Sequence, residues 1–170
     1  MKTTTLIAIA AIPALVFCGW GTVRIVKCFK FEQECGEYLK RAANANTVDL
    51  AKSEMTRAIA YLDQHGMTTG YTSVLWKTPS EDVGFWHANL KASLDELESI
   101  APAASPLERS NVLMKLRETL MENGNEGDIL TAPVGISVYP SNTAFFWWGW
   151  LSFSAAGLLI VGAGTREVFN

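Results

Sequence analysis

Ala144-Phe-Phe-Trp-Trp-Gly-Trp-Leu-Ser-Phe-Ser-Ala-Ala-Gly-Leu-Leu-Ile-Val-Gly-Ala-Gly164 runs for 21 residues without a charge. A helix needs roughly 20 mostly apolar residues to cross a hydrocarbon core about 30 Å thick, so this stretch predicts a transmembrane helix. Its start carries Phe145, Phe146, Trp147, Trp148 and Trp150. Rings of this kind favour the headgroup level, where one edge stays wet and the other is apolar. That anchoring role explains the cluster better than cofactor stacking. Arg166 closes the far end.

A second apolar run, Leu6 to Val23, lies at the other end of the 170-residue chain. Lys2 ahead of an apolar core has the form of a secretory signal. The small residues are poorly placed for cleavage after Phe17, and Trp20 and Val23 extend the apolar character up to Arg24. An uncleaved anchor is therefore expected, with Trp20 at the membrane interface. Leu15-Val-Phe-Cys18 faintly matches a lipoprotein box, but bulky Phe17 stands where a small residue is required.

Small residues recur near one helical face at Gly149, Ser152, Ala156 and Ala163, and at Ala10, Ala14 and Cys18 in the first run. In lipid, helices associate by close packing rather than by hydrophobicity. These stripes predict that the two helices meet each other or a partner. The expected organisation is an anchor at 1–23, a helical soluble domain at 24–142, a transmembrane helix at 143–164 and a short tail at 165–170.

The net charge is −3. Of the 14 Lys and Arg, 12 fall between Arg24 and Arg117, and 16 of the 17 Asp and Glu fall between Glu32 and Asp128, so the middle is mildly acidic. Its basic residues gather early, as Arg24, Lys27, Lys30, Lys40 and Arg41, where anionic headgroups attract them. Without a basic face, nucleic acid is not an expected partner.

The middle reads as amphipathic helices. Phe31, Cys35, Tyr38, Leu39 and Ala42 keep a helical period, and no strong breaker separates them from the first apolar run, which predicts one continuous helix. Val48, Ala51, Met55, Ile59 and Leu62 mark a second helix from about Thr47 to His65, stopped by Gly66. Thr78-Pro-Ser-Glu81 and Ser105-Pro-Leu-Glu108 both have the capping-box form, with proline at the first helical position. They predict helices over 79–100, with Val83, Trp86, Leu90, Leu94 and Leu97 inward, and over 106–123, with Leu113, Leu116 and Leu120 inward and Gly124 as the stop. The fold class is thus mainly α: two transmembrane helices flanking a soluble antiparallel helical bundle. Possible short strands are placed near 72–76 and 134–138, the latter from the alternation in Val134-Gly-Ile-Ser-Val138.

Few residues are arranged for chemistry. Ser73 and Lys77 are four apart, the wrong spacing for a Ser-x-x-Lys nucleophile, and no Gly-x-Ser-x-Gly elbow occurs. A helical Glu-x-x-His ligand pair ending at His87 would need glutamate where Gly84 stands. Cys28 and Cys35 lie about 10 Å apart on a continuous helix, beyond disulfide reach, and neither histidine has ligand spacing to them. No catalytic residue, metal or cofactor is assigned, and an enzyme is not expected. Long loops often carry binding function, so Tyr71, Trp76 and Lys77 form the candidate contact surface. The competing reading has Trp76 plugging the end of the bundle while Lys77 is solvated.

The expected role is an accessory or scaffold subunit whose partners are the lipid bilayer and a membrane protein or a second copy of the chain. The alternative is an extracytoplasmic ligand-binding sensor that signals through another protein. In layout alone, anchor, four helices and anchor resembles the sensory part of bacterial chemoreceptors. The early cations favour a cytoplasmic middle, but its length exceeds the roughly 60 residues over which that rule holds. The soluble part is placed extracytoplasmically, with both termini cytoplasmic.

Overall fold

The computed structural model describes residues 3–124 and 127–168. Its elements run in the order α1 (Thr3–Phe31), a π-helical turn (Glu32–Gly36), α2 (Glu37–Ala43), α3 (Val48–Gln64), α4 (Val83–Ser99), α5 (Pro106–Leu120), β1 (Met121–Gly124), β2 (Gly127–Leu130) and α6 (Asn142–Val168). They group into two compact units, one made of both terminal segments, through Cys28 and from Ser141, and the other spanning Phe29–Pro140.

Two helices are long and apolar enough to cross a membrane: one over Ala11–Ala43, whose later part belongs to the Phe29–Pro140 unit, and one over Asn142–Gly162. A core helix of a soluble protein would be mostly buried. Here none of the most apolar stretch of the first is buried, and 11% of the second. Contacts between α1 and α6 run in opposite order along the chain: Lys27 lies over Phe145, Trp20 meets Gly149, and Phe17 meets Phe153. The two helices are therefore antiparallel.

In the Phe29–Pro140 unit, α2, α3, α4 and α5 enclose one core. Leu39, Met55, Leu62, Val83, Leu90, Leu97 and Leu120 are its largest fully buried side chains. The helical period of the sequence explains each: Ala51, Met55, Ile59 and Leu62 face inward along α3, and Val83, Trp86, Leu90 and Leu97 along α4. Leu94 and Leu113 are only half-buried. The first helix continues into this core through the π turn, where Phe31 and Cys35 are buried.

Helix starts follow their caps. Thr47 Oγ1 accepts from Leu50 N at 3.3 Å and Ser105 Oγ from Glu108 N at 3.2 Å. The Thr78 box departs from expectation. Thr78 Oγ1 donates to the Glu81 carboxylate at 2.6 Å, Pro79–Glu81 form only a 3-10 turn, and Asp82 caps α4 by accepting from Phe85 N at 3.0 Å. An aspartate one residue downstream competes for the same role, and its carboxylate is the stronger acceptor.

The strands also lie elsewhere than expected. At 72–76 there is no strand. Tyr71 makes a single bridge to Asp82, and Pro79 and the 3-10 turn end the pairing. At 134–138, Gly135 takes φ 80° and Ile136–Val138 turn as a 3-10 helix, because alternation alone cannot hold extended backbone across a left-handed residue. The observed hairpin is β1 with β2, antiparallel, pairing Met121 with Leu130 and Gly124 with Gly127. Asn123-Gly124, read as a helix stop, belongs to this hairpin, and α5 ends at Leu120.

Candidate functional site

Two places gather the side chains that the sequence singles out, and the structure adds a third. The first is the seam between α1 and α6. Gly149 is buried there because Trp20 lies on it. A Cβ at 149 would meet Trp20 Cε2 at 2.7 Å. That missing methyl lets the indole reach the helix backbone one turn earlier, and Nε1 donates to the Phe145 carbonyl at 2.8 Å. An indole N–H taken out of water needs such an acceptor. Phe17 stacks on Trp20 with centroids 5.2 Å apart and meets Phe153 at 5.6 Å.

Ser152 is buried on the same side and returns its hydroxyl to Trp148 O at 2.7 Å, while Ala14 and Ala156 are half-buried. Cys18 is exposed, so it does not share the packed face. The side chains of Ala10, Ala163 and Arg166 lie outside the described residues. Trp147, Trp148 and Trp150 are exposed, and Phe145 and Phe146 are half-buried. Trp20, placed by its sequence among the interfacial rings, also serves as the contact residue between the helices. Arg24 sits 5.5 Å over its ring, and Lys27 sits 5.1 Å over that of Phe145.

The second place is the loop between α3 and α4. Its base is fixed by backbone hydrogen bonds from Met67 N to Leu62 O (2.8 Å), Thr72 N to Glu81 O (3.0 Å) and Val83 N to Gly70 O (2.8 Å). Met67 and Thr72 are buried. The tip projects from this base with Trp76 78% exposed and Leu75 55% exposed, which rules out Trp76 as a plug for the bundle. Tyr71 is half-buried, and the Lys77 ammonium lies 5.1 Å from its ring centroid. Tyr71 and Lys77 are therefore brought together, while Trp76 stands free of the core.

The third place was not singled out by sequence. A trough of about 650 Å³ lies between the α2–α3 connection and α5, lined by Asn44, Arg109, Leu113, Met114 and Arg117 among others. Arg117 donates to Asn44 Oδ1 at 2.5 Å and pairs with Asp128, and Arg109 donates to the Pro102 carbonyl. A neighbouring cavity of about 620 Å³, with Asp49, Lys52, Leu97 and Glu98 in its wall, shares Arg109 and Leu113 with the trough. Met114 on α5 was the available signal, since the inward stripe leaves it on another face.

Two further pairs bear on chemistry. His87, buried in α4, lies 2.8 Å from Asp63 Oδ1, and Lys91 approaches the other oxygen at 3.6 Å. The Cys35 thiol is fully buried, with Sγ 3.8 Å from Ala58 O. Burial, aided by the nearby Glu32 charge, pushes its pKa up to about 12, which keeps it a neutral and unreactive thiol. Among the described residues no three His, Cys, Asp or Glu side chains group as metal ligands. No family model, no curated protein and no solved structure matches this chain.

Proposed function

We propose that this chain is a two-pass membrane accessory subunit. The α1–α6 pair holds it in the bilayer, and the helical unit docks a protein partner in the trough between the α2–α3 connection and α5. The observation that carries this reading is the trough itself, where Leu113 and the exposed Met114 line the same depression as Arg109 and Arg117. Arg and Met are enriched in partner surfaces. The helical unit is extracytoplasmic in this reading, with both termini cytoplasmic.

The test is purification of the full chain from its native membranes in mild detergent, followed by mass spectrometry. The reading predicts a stoichiometric partner that is lost from Met114→Glu and retained by Leu75→Ser. A partner-free chain, or a partner indifferent to Met114→Glu, contradicts it. For orientation, a cysteine introduced at Ser99 should react with an impermeant thiol reagent in intact cells. Labelling only after lysis reverses the assignment.

A second reading is favoured by the adjoining cavity of about 620 Å³. That volume falls within the roughly 300–1,000 Å³ range of small-molecule sites. In this reading the unit is a sensor that passes its signal to another protein. A metabolite that raises the melting temperature of the full chain, with the rise abolished by Lys52→Ala, supports it. A broad metabolite screen without any shift counts against it.

A further inference from the structure

We infer that the Leu75-Trp76-Lys77 tip rests in the headgroup layer of the bilayer and forms a third membrane contact. This inference rests on the reading that α1 and α6 span that bilayer. The tip is apolar for its size: Val74, Leu75, Trp76 and Pro79 surround a single cation, Lys77. Its exposure is not fraying, because three backbone hydrogen bonds and two buried side chains hold the base. A fixed loop that presents leucine and tryptophan to water loses hydrophobic free energy unless something covers them.

The base lies at the end of the helical unit where its chain enters and leaves. Tyr61, four residues before the loop opens, meets Phe31 with ring centroids 6.2 Å apart, so this end of the helical unit is where the first helix arrives. The Tyr139 hydroxyl donates to Thr69 O and lies against Gly70, so the same end is where the chain departs. Only two residues, Pro140 and Ser141, separate Tyr139 from Asn142, the first residue of α6, a span of at most about 11 Å of extended chain. Phe85, in the first turn of α4, adds another exposed ring at this end. The trough that suits a protein partner is lined by residues of the α2–α3 connection and α5, away from this loop.

Composition favours lipid over protein as the occupant. Tryptophan and tyrosine with one lysine is the pattern of residues that settle at a membrane interface, rings toward the acyl boundary and ammonium toward phosphate. Lys77 lies over the Tyr71 ring on the base side of Trp76, which leaves Leu75 and Trp76 to lead.

The full chain in phosphatidylcholine nanodiscs, with Cys18→Ser and Cys28→Ser as background, tests this. An environment-sensitive fluorophore is attached to Leu75→Cys, to Ser110→Cys on α5 and to Leu158→Cys on α6. The expected result is iodide quenching about fivefold lower at 75 than at 110, with quenching at 75 by lipids brominated near the headgroup. Protection at 158 with equal iodide access at 75 and 110 overturns the inference and leaves the membrane spans intact. Iodide access at 158 overturns the spans, and the inference with them. Protection at 75 in native membranes but not in nanodiscs also overturns it, because the cover is then a protein.

Discussion

Trp20 Nε1 donates to the carbonyl oxygen of Phe145 at 2.8 Å, joining residues 125 positions apart in sequence. The contact exists because Gly149, one turn beyond Phe145, has no side chain in its way. Sequence spacing found the small residue and the aromatic separately. The pairing between them required the antiparallel register of α1 and α6.

Gly149→Val should therefore displace Trp20 and destabilise the full chain in mild detergent by about 1–3 kcal/mol, the usual cost of overpacking. Trp20→Ala added to Gly149→Val should cost little more, since the contact is already lost. Thermal unfolding of the two single variants and the double variant checks this. Strictly additive effects would show that the two residues do not share a contact.

Leu90 is fully buried in α4, whereas Leu94 is half-buried. Leu90→Ala should cost about 2–5 kcal/mol and Leu94→Ala about half of that or less. Chemical denaturation of the full chain in detergent measures both. A larger cost at Leu94 would move the centre of the core.

Caps separate in the same assay. Ser105→Ala and Asp82→Ala each remove an acceptor from a helix N–H and should cost about 1 kcal/mol. Thr78→Ala should cost less than about 0.5 kcal/mol, because the Thr78 hydroxyl reaches only the Glu81 side chain. Equal costs at Thr78 and Asp82 would contradict the observed start of α4.

The helices were legible because apolar spacing marked α3 and because spacing and cap agreed at Ser105. The Thr78 box was misleading because two acceptors, Thr78 and Asp82, stand four residues apart and only geometry decides between them. The hairpin at 121–130 was hidden for a related reason: Asn123-Gly124 suits a helix stop, yet both residues pair within β1, Asn123 with Asp128 and Gly124 with Gly127. The trough was invisible to a reading based on inward stripes, since it depends on how the α2–α3 connection faces α5. The exposure of Trp76 was equally hidden, because a tryptophan in a loop looks the same in sequence whether it enters the core or leaves it.

Alkaline pH should weaken the helical unit in part through Cys35. The buried thiol stays neutral in the folded chain up to about pH 12, against an ordinary value of 9.0 when exposed by unfolding. Its contribution is thus complete below pH 9 and falls as pH rises from there toward 12, by at most about 1.4 kcal/mol per pH unit. Tyr61, raised chiefly by burial, and Lys40, raised chiefly by its hydrogen bond to Glu32, lose stability in the same direction. Denaturation of Cys35→Ala beside the parent chain isolates the thiol, and the variant should show the shallower alkaline decline. Identical declines would mean that Cys35 ionises freely.

The helices α1 and α6 form one antiparallel pair, which the proposed function places within a bilayer. Phe17 and Phe153 face each other with ring centroids 5.6 Å apart. The most direct measurement is disulfide cross-linking of Phe17→Cys with Phe153→Cys in native membranes, on a Cys18→Ser, Cys28→Ser background, followed by alkaline carbonate washing. The account predicts an intramolecular cross-link that stays in the washed membrane pellet. Release of the chain into the wash, or no cross-link between these positions, would contradict it.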